Sequence, residues 1–162
     1  ELGDGDRAWE LFGLINPVNH GLDAEAIATY KVEPYVVAAD VYAVAPHAGR
    51  GGWTWYTGSS GWMYRLIIES LLGLRVENDR LRILPVPRAD WPSYQLSYRY
   101  RDTIYRITVA QPVDGEASGR LTLDGVPQEG DIHLVNDRID HEVVLQLSPA
   151  AMPAAGRASV DE

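Results

Sequence analysis

The apolar residues change period partway along the chain, and that change limits the fold more than any other feature of the sequence. Ala8, Leu11, Phe12 and Ile15 fall at i, i+3, i+4 and i+7, with Asp4 or Asp6 placed to cap, which predicts an amphipathic helix stopped at Asn16-Pro17. A short helical turn is expected from Asp23. A longer second helix is expected from Pro34, because Pro suits a first helical position and Tyr35 to Tyr42 runs on without a breaker until Pro46. Trp62, Met63, Leu66, Ile67 and Leu71 outline a third helix, capped by Ser59 or Ser60 and ended by Gly73.

From about Val76 the helical period gives way to short alternating or β-branched runs separated by turn residues. Tyr94, Leu96, Tyr98 and Tyr100 alternate with polar residues, which suggests a half-buried face, and Ile104 to Val109 is placed to fold back as the partner strand of a hairpin. Leu81 to Leu84, Arg120 to Leu123, Ile132 to Val135 and Glu142 to Leu147 bring the count to about six strands, the size of a small sandwich. The fold class expected is α+β, with a helical segment over 1–75, an antiparallel β-sandwich over 76–148 and a flexible Ala-, Pro- and Gly-rich tail over 149–162.

A chain of 162 residues buries roughly 70% of the surface its unfolded form exposes, enough for one core or two small ones. The net charge of -9 repels phosphate backbones and anionic lipid, which argues against nucleic acid and membrane surfaces as partners. There is no Cys, so disulfide frameworks and Cys-ligated metals are excluded. The longest apolar stretch, Leu66 to Leu74, is broken by Glu69, Ser70 and Gly73 and falls far short of the roughly 20 residues that cross a bilayer. The chain opens at Glu1 without Met and without a leader pattern, and is expected to be a cut piece of something longer.

The densest chemical signal is Gly51-Gly52-Trp53-Thr54-Trp55-Tyr56-Thr57-Gly58-Ser59-Ser60-Gly61, small residues beside three aromatics directly before a helix. A helix start leaves backbone N–H groups unpaired and carries partial positive charge, so Thr57, Gly58 and Ser59 can hold an anion through backbone and hydroxyl groups. Trp53, Trp55 and Tyr56 offer flat faces on which the C–H groups of sugar rings pack. The plainer alternative is that the Thr57-Gly58-Ser59 turn only caps a helix while the aromatics fill the core. Glu33 and Asp40 are two carboxylates of the expected second helix, nearly two turns apart and so unsuited to act as an acid and base couple. His20, His47, His133 and His141 show no metal-ligand spacing, and no metal is expected. No G-x-S-x-G, Walker or dinucleotide fingerprint is present.

Several motifs, in order and spacing, resemble the C-terminal part of the cellobiose and chitobiose phosphorylase family, in particular the phosphorylase-like region that ends cyclic β-1,2-glucan synthases. They are Gly5-Asp6-Arg7-Ala8-Trp9, Asn16-Pro17-Val18-Asn19-His20, Tyr30-Lys31-Val32-Glu33-Pro34-Tyr35-Val36, Gly52-Trp53-Thr54-Trp55-Tyr56-Thr57-Gly58-Ser59 and Leu72-Gly73-Leu74, and the likeness covers about residues 3 to 95. The resemblance implies the last helices of an (α/α)6 barrel followed by a small β-domain. It implies inverting phosphorolysis, in which phosphate attacks a glycosidic bond while an Asp protonates the leaving oxygen.

By the same resemblance Thr57 and Gly58 fall on the family's phosphate site, Ser59 joins them as part of the same helix start, and Glu33, Tyr35, Trp53 and Trp55 are the candidates for binding the saccharide. The general-acid Asp and the phosphate-binding His lie upstream of the matched region, so no catalytic residue is expected in this chain and the chain alone is expected to be inactive. His20 belongs to the Asn-Pro-Val-Asn-His segment and does not take the role of the missing His. Ala39 stands where the cellobiose type has an acceptor-side Gln, which turns the expectation away from cellobiose and toward β-glucan. No cofactor is implied beyond inorganic phosphate as substrate. The partners implied are a β-glucan oligosaccharide, phosphate and the upstream barrel, with self-association through uncovered helix faces. The parent is expected to be bacterial and associated with the inner membrane, with this segment on the cytoplasmic side. The other class left open is a non-catalytic carbohydrate-binding or structural module.

Overall fold

The computed structural model describes residues 4–88, 90–112 and 119–148, and the chain divides into two compact units at 71/72. The stretch 149–162, expected as a tail, lies outside the described residues. Among the described residues no helix is long and apolar enough to cross a membrane.

The first unit holds α1 (Gly5–Ile15), a 3-10 turn (Pro17–Gly21), α2 (Ala24–Tyr30) and α3 (Thr57–Arg65), which continues as a π-helix over Leu66–Leu71. Short polar side chains build its first half. Asp4 Oδ1 accepts from the Arg7 N–H at 3.0 Å and caps α1, and Asp23 Oδ1 accepts from the Ala26 N–H at 2.8 Å and caps α2. The last carbonyls of α1, which have no partner within the helix, are met by the next turn: Asn19 Nδ2 donates to Gly13 O at 2.8 Å and His20 Nε2 to Leu14 O at 2.9 Å. His20 then stacks on buried Tyr30 at 4.2 Å, a structural use of this imidazole.

The helix expected from Pro34 does not form. Residues 33–42 run as turns and extended chain, and their backbone pairs with residues 49–53 instead. Ala39 N–H donates to Trp53 O at 2.8 Å, Gly52 N–H to Asp40 O at 2.9 Å and Tyr42 N–H to Arg50 O at 2.9 Å, with a bridge between Val41 and Gly51. β-Branched Val36, Val37 and Val41 lose side-chain freedom in a helix and suit this extended pairing, so tertiary hydrogen bonds prevail over the Pro signal.

The second unit contains two sheets. One has the order β1-β2-β7, built from β1 (Leu74–Glu77), β2 (Arg80–Ile83) and β7 (Ile132–His133). The other has the order β3-β4-β8-β5-β6, from β3 (Ser93–Tyr100), β4 (Thr103–Ala110), β5 (Arg120–Leu123), β6 (Val126–Gln128) and β8 (His141–Gln146). The β3–β4 hairpin runs in register from Ser93 opposite Ala110 to Tyr100 opposite Thr103. The Asp124-Gly125 turn takes positive φ at both residues, as a two-residue hairpin needs.

Two corrections follow for this half. The sheet is not purely antiparallel, because β8 lies parallel to β4 from Tyr105 opposite His141 to Ala110 opposite Gln146. The described residues also hold two strands that the sequence did not suggest, β1 and β6. Both are edge strands, the first mostly exposed with Arg75 and Glu77 in it, the second carrying Pro127, which only an edge tolerates. The core is formed by Leu81, Ile83, Ile132 and Leu134 at one sheet and by Tyr105, Ile107, Val109 and Val143 at the other.

Candidate functional site

The aromatic stretch ahead of α3 is held from one side by the residues that failed to become a helix. Trp53 has both backbone groups engaged: its N–H donates to Asp40 Oδ1 at 3.0 Å and its carbonyl accepts from Ala39. Two residues on, the Trp55 indole Nε1–H donates to Glu33 Oε1 at 3.2 Å. Ser59 ties the helix start to the same segment, its hydroxyl lying 2.7 Å from Tyr56 O and 3.4 Å from Val37 O.

Trp55 carries a φ of +61°, a left-handed conformation that costs a bulky residue about 1–3 kcal/mol and persists only where the surroundings fix it. Its rings and bonds supply that fixation: Glu33 on the indole nitrogen and the Tyr35 ring at 6.3 Å, edge to face. Trp53 makes a separate edge-to-face pair with Tyr56 at 5.0 Å. These aromatics do not fill a core. Trp53 and Trp55 are 68% and 67% exposed and Tyr35 73%, so flat apolar faces stand open beside the helix start. The structure thus joins Glu33, Tyr35 and Trp55 in one cluster, and leaves Trp53 with Tyr56.

The helix start differs from the expected cap. It lies at Thr57, ahead of Ser59 and Ser60, and its cap position is Tyr56, which makes no side-chain cap hydrogen bond. Ser59 donates its hydroxyl backwards to Tyr56 O and so does not serve as the cap. No acidic residue sits in the first turn, and a Cβ added at Gly58 or Gly61 would meet nothing within 4 Å. The first turn is therefore open, free of carboxylates of its own and without a competing side chain on its N–H groups, the conditions under which a helix start accepts an anion.

Glu33 has its carboxyl held below the usual range by its own backbone N–H, the Trp55 indole and Thr54. At neutral pH it is a carboxylate fixed by the ring it holds, and its remaining lone pairs can accept from sugar hydroxyls. Asp40 is the residue that sequence reasoning undervalued. Placed on a helix it pointed nowhere useful, whereas in the extended chain it clasps Trp53. The available signal was Gly52 next to Trp53: a Cβ at position 52 would lie 2.1 Å from Asp40 Oδ2, so only glycine leaves room for that carboxylate.

The remaining histidines have structural partners, His47 standing edge to face with Tyr42 at 6.0 Å. His133 lies 2.9 Å from Asp79, and His141 lies between Asp124 and Asp137 at 2.7 and 3.1 Å. Among the described residues no group of three or more His, Asp or Glu side chains could hold a metal ion.

Residues 1–73 match the glycosyl hydrolase 94 superfamily, catalytic domain. Over 106 residues, 65% of the chain, it is 49% identical to the cyclic beta-(1,2)-glucan synthase NdvB of Rhizobium meliloti (strain 1021). It is 29% identical over 151 residues to the N,N'-diacetylchitobiose phosphorylase of Vibrio proteolyticus and 29% identical over 155 residues to the solabiose phosphorylase of Paenibacillus borealis, covering 91% and 90% of the chain. The chain spans 4% of the length of the first of these relatives, 18% of the second and 19% of the third. The resemblance carried by the sequence motifs is thus borne out in the helical unit by the family match.

Proposed function

We propose that this chain, whose residues 1–73 match the glycosyl hydrolase 94 superfamily, catalytic domain, is the C-terminal part of a glycoside phosphorylase-like protein of the cyclic β-1,2-glucan synthase type. In this reading the helical unit supplies closing helices of an (α/α)6 barrel and the sheet unit is the β-domain that follows it. Thr57, Gly58 and Ser59 bind inorganic phosphate, while Glu33, Tyr35, Trp53 and Trp55 face the saccharide. A phosphate oxygen attacks the anomeric carbon of the terminal glucose. The glycosidic bond breaks and its oxygen takes a proton from a general acid outside this chain, giving glucose 1-phosphate and a shortened glucan. The chain therefore binds and orients, a contribution made through proximity, and has no turnover by itself.

The observation that carries this reading is the open, acid-free start of α3 next to the Glu33–Trp55 clasp, inside the segment that matches the catalytic domain. The parent protein of this reading works at the bacterial inner membrane, with this segment on the cytoplasmic side. The direct test is phosphate-dependent release of glucose 1-phosphate from linear β-1,2-glucan oligosaccharides by the protein extended upstream through the barrel. Release only when phosphate is present supports the reading. Saccharide binding with no release at any phosphate concentration would leave a carbohydrate-binding module in its place.

A further inference from the structure

We infer that Asp40 is a positioning residue: its carboxylate, seated where residue 52 would otherwise carry a Cβ, sets the Trp53 peptide and through it the aromatic face offered to the saccharide. The inference rests on the functional reading above for what that face binds, and on geometry alone for how it is held. Three bonds converge on one short stretch. Asp40 Oδ1 accepts from Trp53 N–H at 3.0 Å, Asp40 O accepts from Gly52 N–H at 2.9 Å, and neighbouring Ala39 N–H donates to Trp53 O at 2.8 Å.

The Trp53 N–H is received by a side chain and not by a backbone carbonyl, and the space for that side chain exists only because position 52 is glycine. Asp40 and Gly52 are therefore one device made of two residues. An N–H to carboxylate bond is charge-assisted and stronger than an amide–carbonyl bond. It is also exposed, so it holds the strap without the support of a core. The strap it holds leads directly into Tyr56, the residue that precedes α3 and packs on Trp53. Loss of the carboxylate releases the Trp53 peptide and lets both rings wander, while α1, α2 and the sheets keep all their contacts.

This device predicts a pattern that a merely local hydrogen bond does not. A methyl group at position 52 displaces the carboxylate, so Gly52→Ala reproduces Asp40→Ala, and the double variant is no worse than either single one. Asp40→Asn keeps an acceptor oxygen and restores most of what Asp40→Ala loses.

The first readout is hydrogen exchange of the Trp53 amide in this chain. It is expected to be about tenfold faster in Asp40→Ala and Gly52→Ala and near the parent value in Asp40→Asn, in line with the loss of one hydrogen bond to a charged group. The second is phosphorolysis of β-1,2-glucan oligosaccharides by the protein extended through the barrel. There Asp40→Ala raises the KM for saccharide about fivefold with kcat changed less than that, the signature of lost ground-state positioning. Unchanged Trp53 exchange in Asp40→Ala, additive effects of the two substitutions, or an unchanged saccharide KM would each overturn the inference. If the unaltered extended protein releases no glucose 1-phosphate, the functional reading fails. The role of Asp40 in setting the strap is then decided by the exchange data and the Asp40→Asn rescue alone.

Discussion

In the sheet unit Leu81, Tyr105, Ile107, Ile132 and Val143 are almost wholly enclosed, whereas in the helical unit Leu14, Val18, Leu22 and Ile27 stand more than half exposed. The first unit keeps its shape largely by caps and clasps: Asp4 and Asp23 at helix starts, Asn19 and His20 on the end of α1, Asp40 and Glu33 on the aromatic strap. The second keeps its shape by apolar burial, which contributes about 25 cal/mol per Å² and needs no special geometry. The two halves thus teach different lessons about where specificity resides. A core tolerates exchanges that conserve volume, while a clasp depends on particular atoms at particular distances. The exposed apolar side chains of α1 and α2 are also what the barrel reading expects of helices that have neighbours to cover them.

The sharpest way to break this contrast is to truncate one side chain in each half. Leu81→Ala or Ile107→Ala should cost about 2–5 kcal/mol in urea unfolding, while Ile27→Ala should stay within about 0.5 kcal/mol. Similar costs at the two kinds of position would refute the division.

A smaller effect is expected at Tyr105, whose buried hydroxyl accepts from Val135 N–H at 2.7 Å and lies 3.2 Å from Val135 O. Tyr105→Phe leaves that peptide group without its partner and should lower stability by about 1–3 kcal/mol, seen in the same unfolding transition as Leu81→Ala. Next comes the helix cap: Asp23→Ala should cost about 1 kcal/mol, visible as lost helical circular dichroism with sheet signals unchanged.

The mildest effect is on pH dependence. His141 stacks on Tyr105 and lies between the carboxylates of Asp124 and Asp137, which accept from both ring nitrogens and so favour the charged imidazolium. Its pKa is raised, first by the hydrogen bond to Asp124 and then by the nearby negative charges, against the opposing effect of burial. Asp124 is held low by the Glu142 N–H and His141, and Asp137 by the Ile139 N–H together with His141 and Thr103. A raised His contributes stability that is complete below its ordinary value of about 6.5 and is lost as pH climbs through the raised value. The lowered carboxylates contribute stability present above about 3.9 and lost as pH falls through their depressed values. The stability difference between the parent chain and His141→Asn should therefore be larger at pH 6 than at pH 9, measured by urea midpoints. A difference equal at both pH values would show that His141 carries no charge there.

Much of this was legible in the sequence, for physical reasons that differ by element. Ala8 to Ile15 and the Tyr94 to Val109 hairpin were readable because period and turn chemistry agree. Asp124-Gly125 was readable because two consecutive positive φ values ask for such a pair. The helix expected from Pro34 was a misreading, since Pro at a first helical position is permissive and says nothing about the backbone partners that residues 49–53 bring. The parallel pairing of β8 with β4 joins residues 36 apart at Tyr105 and His141, and no local signal encodes it. At the site, the open turn at Thr57 ahead of a helix was legible from residue types, but its cap was misplaced because Ser59 turns its hydroxyl back to Tyr56 O. The clasp of Asp40 was hidden behind the same mistaken helix.

The central claim is that phosphate is bound at the start of α3. It is tested most directly by the KM for phosphate in glucose 1-phosphate formation by the protein extended upstream, with and without Thr57→Ala. The account predicts a rise of about tenfold or more in that KM, the loss of one hydrogen bond to a charged ligand, with a much smaller change in the KM for saccharide. An unchanged KM for phosphate in a folded Thr57→Ala protein would contradict it.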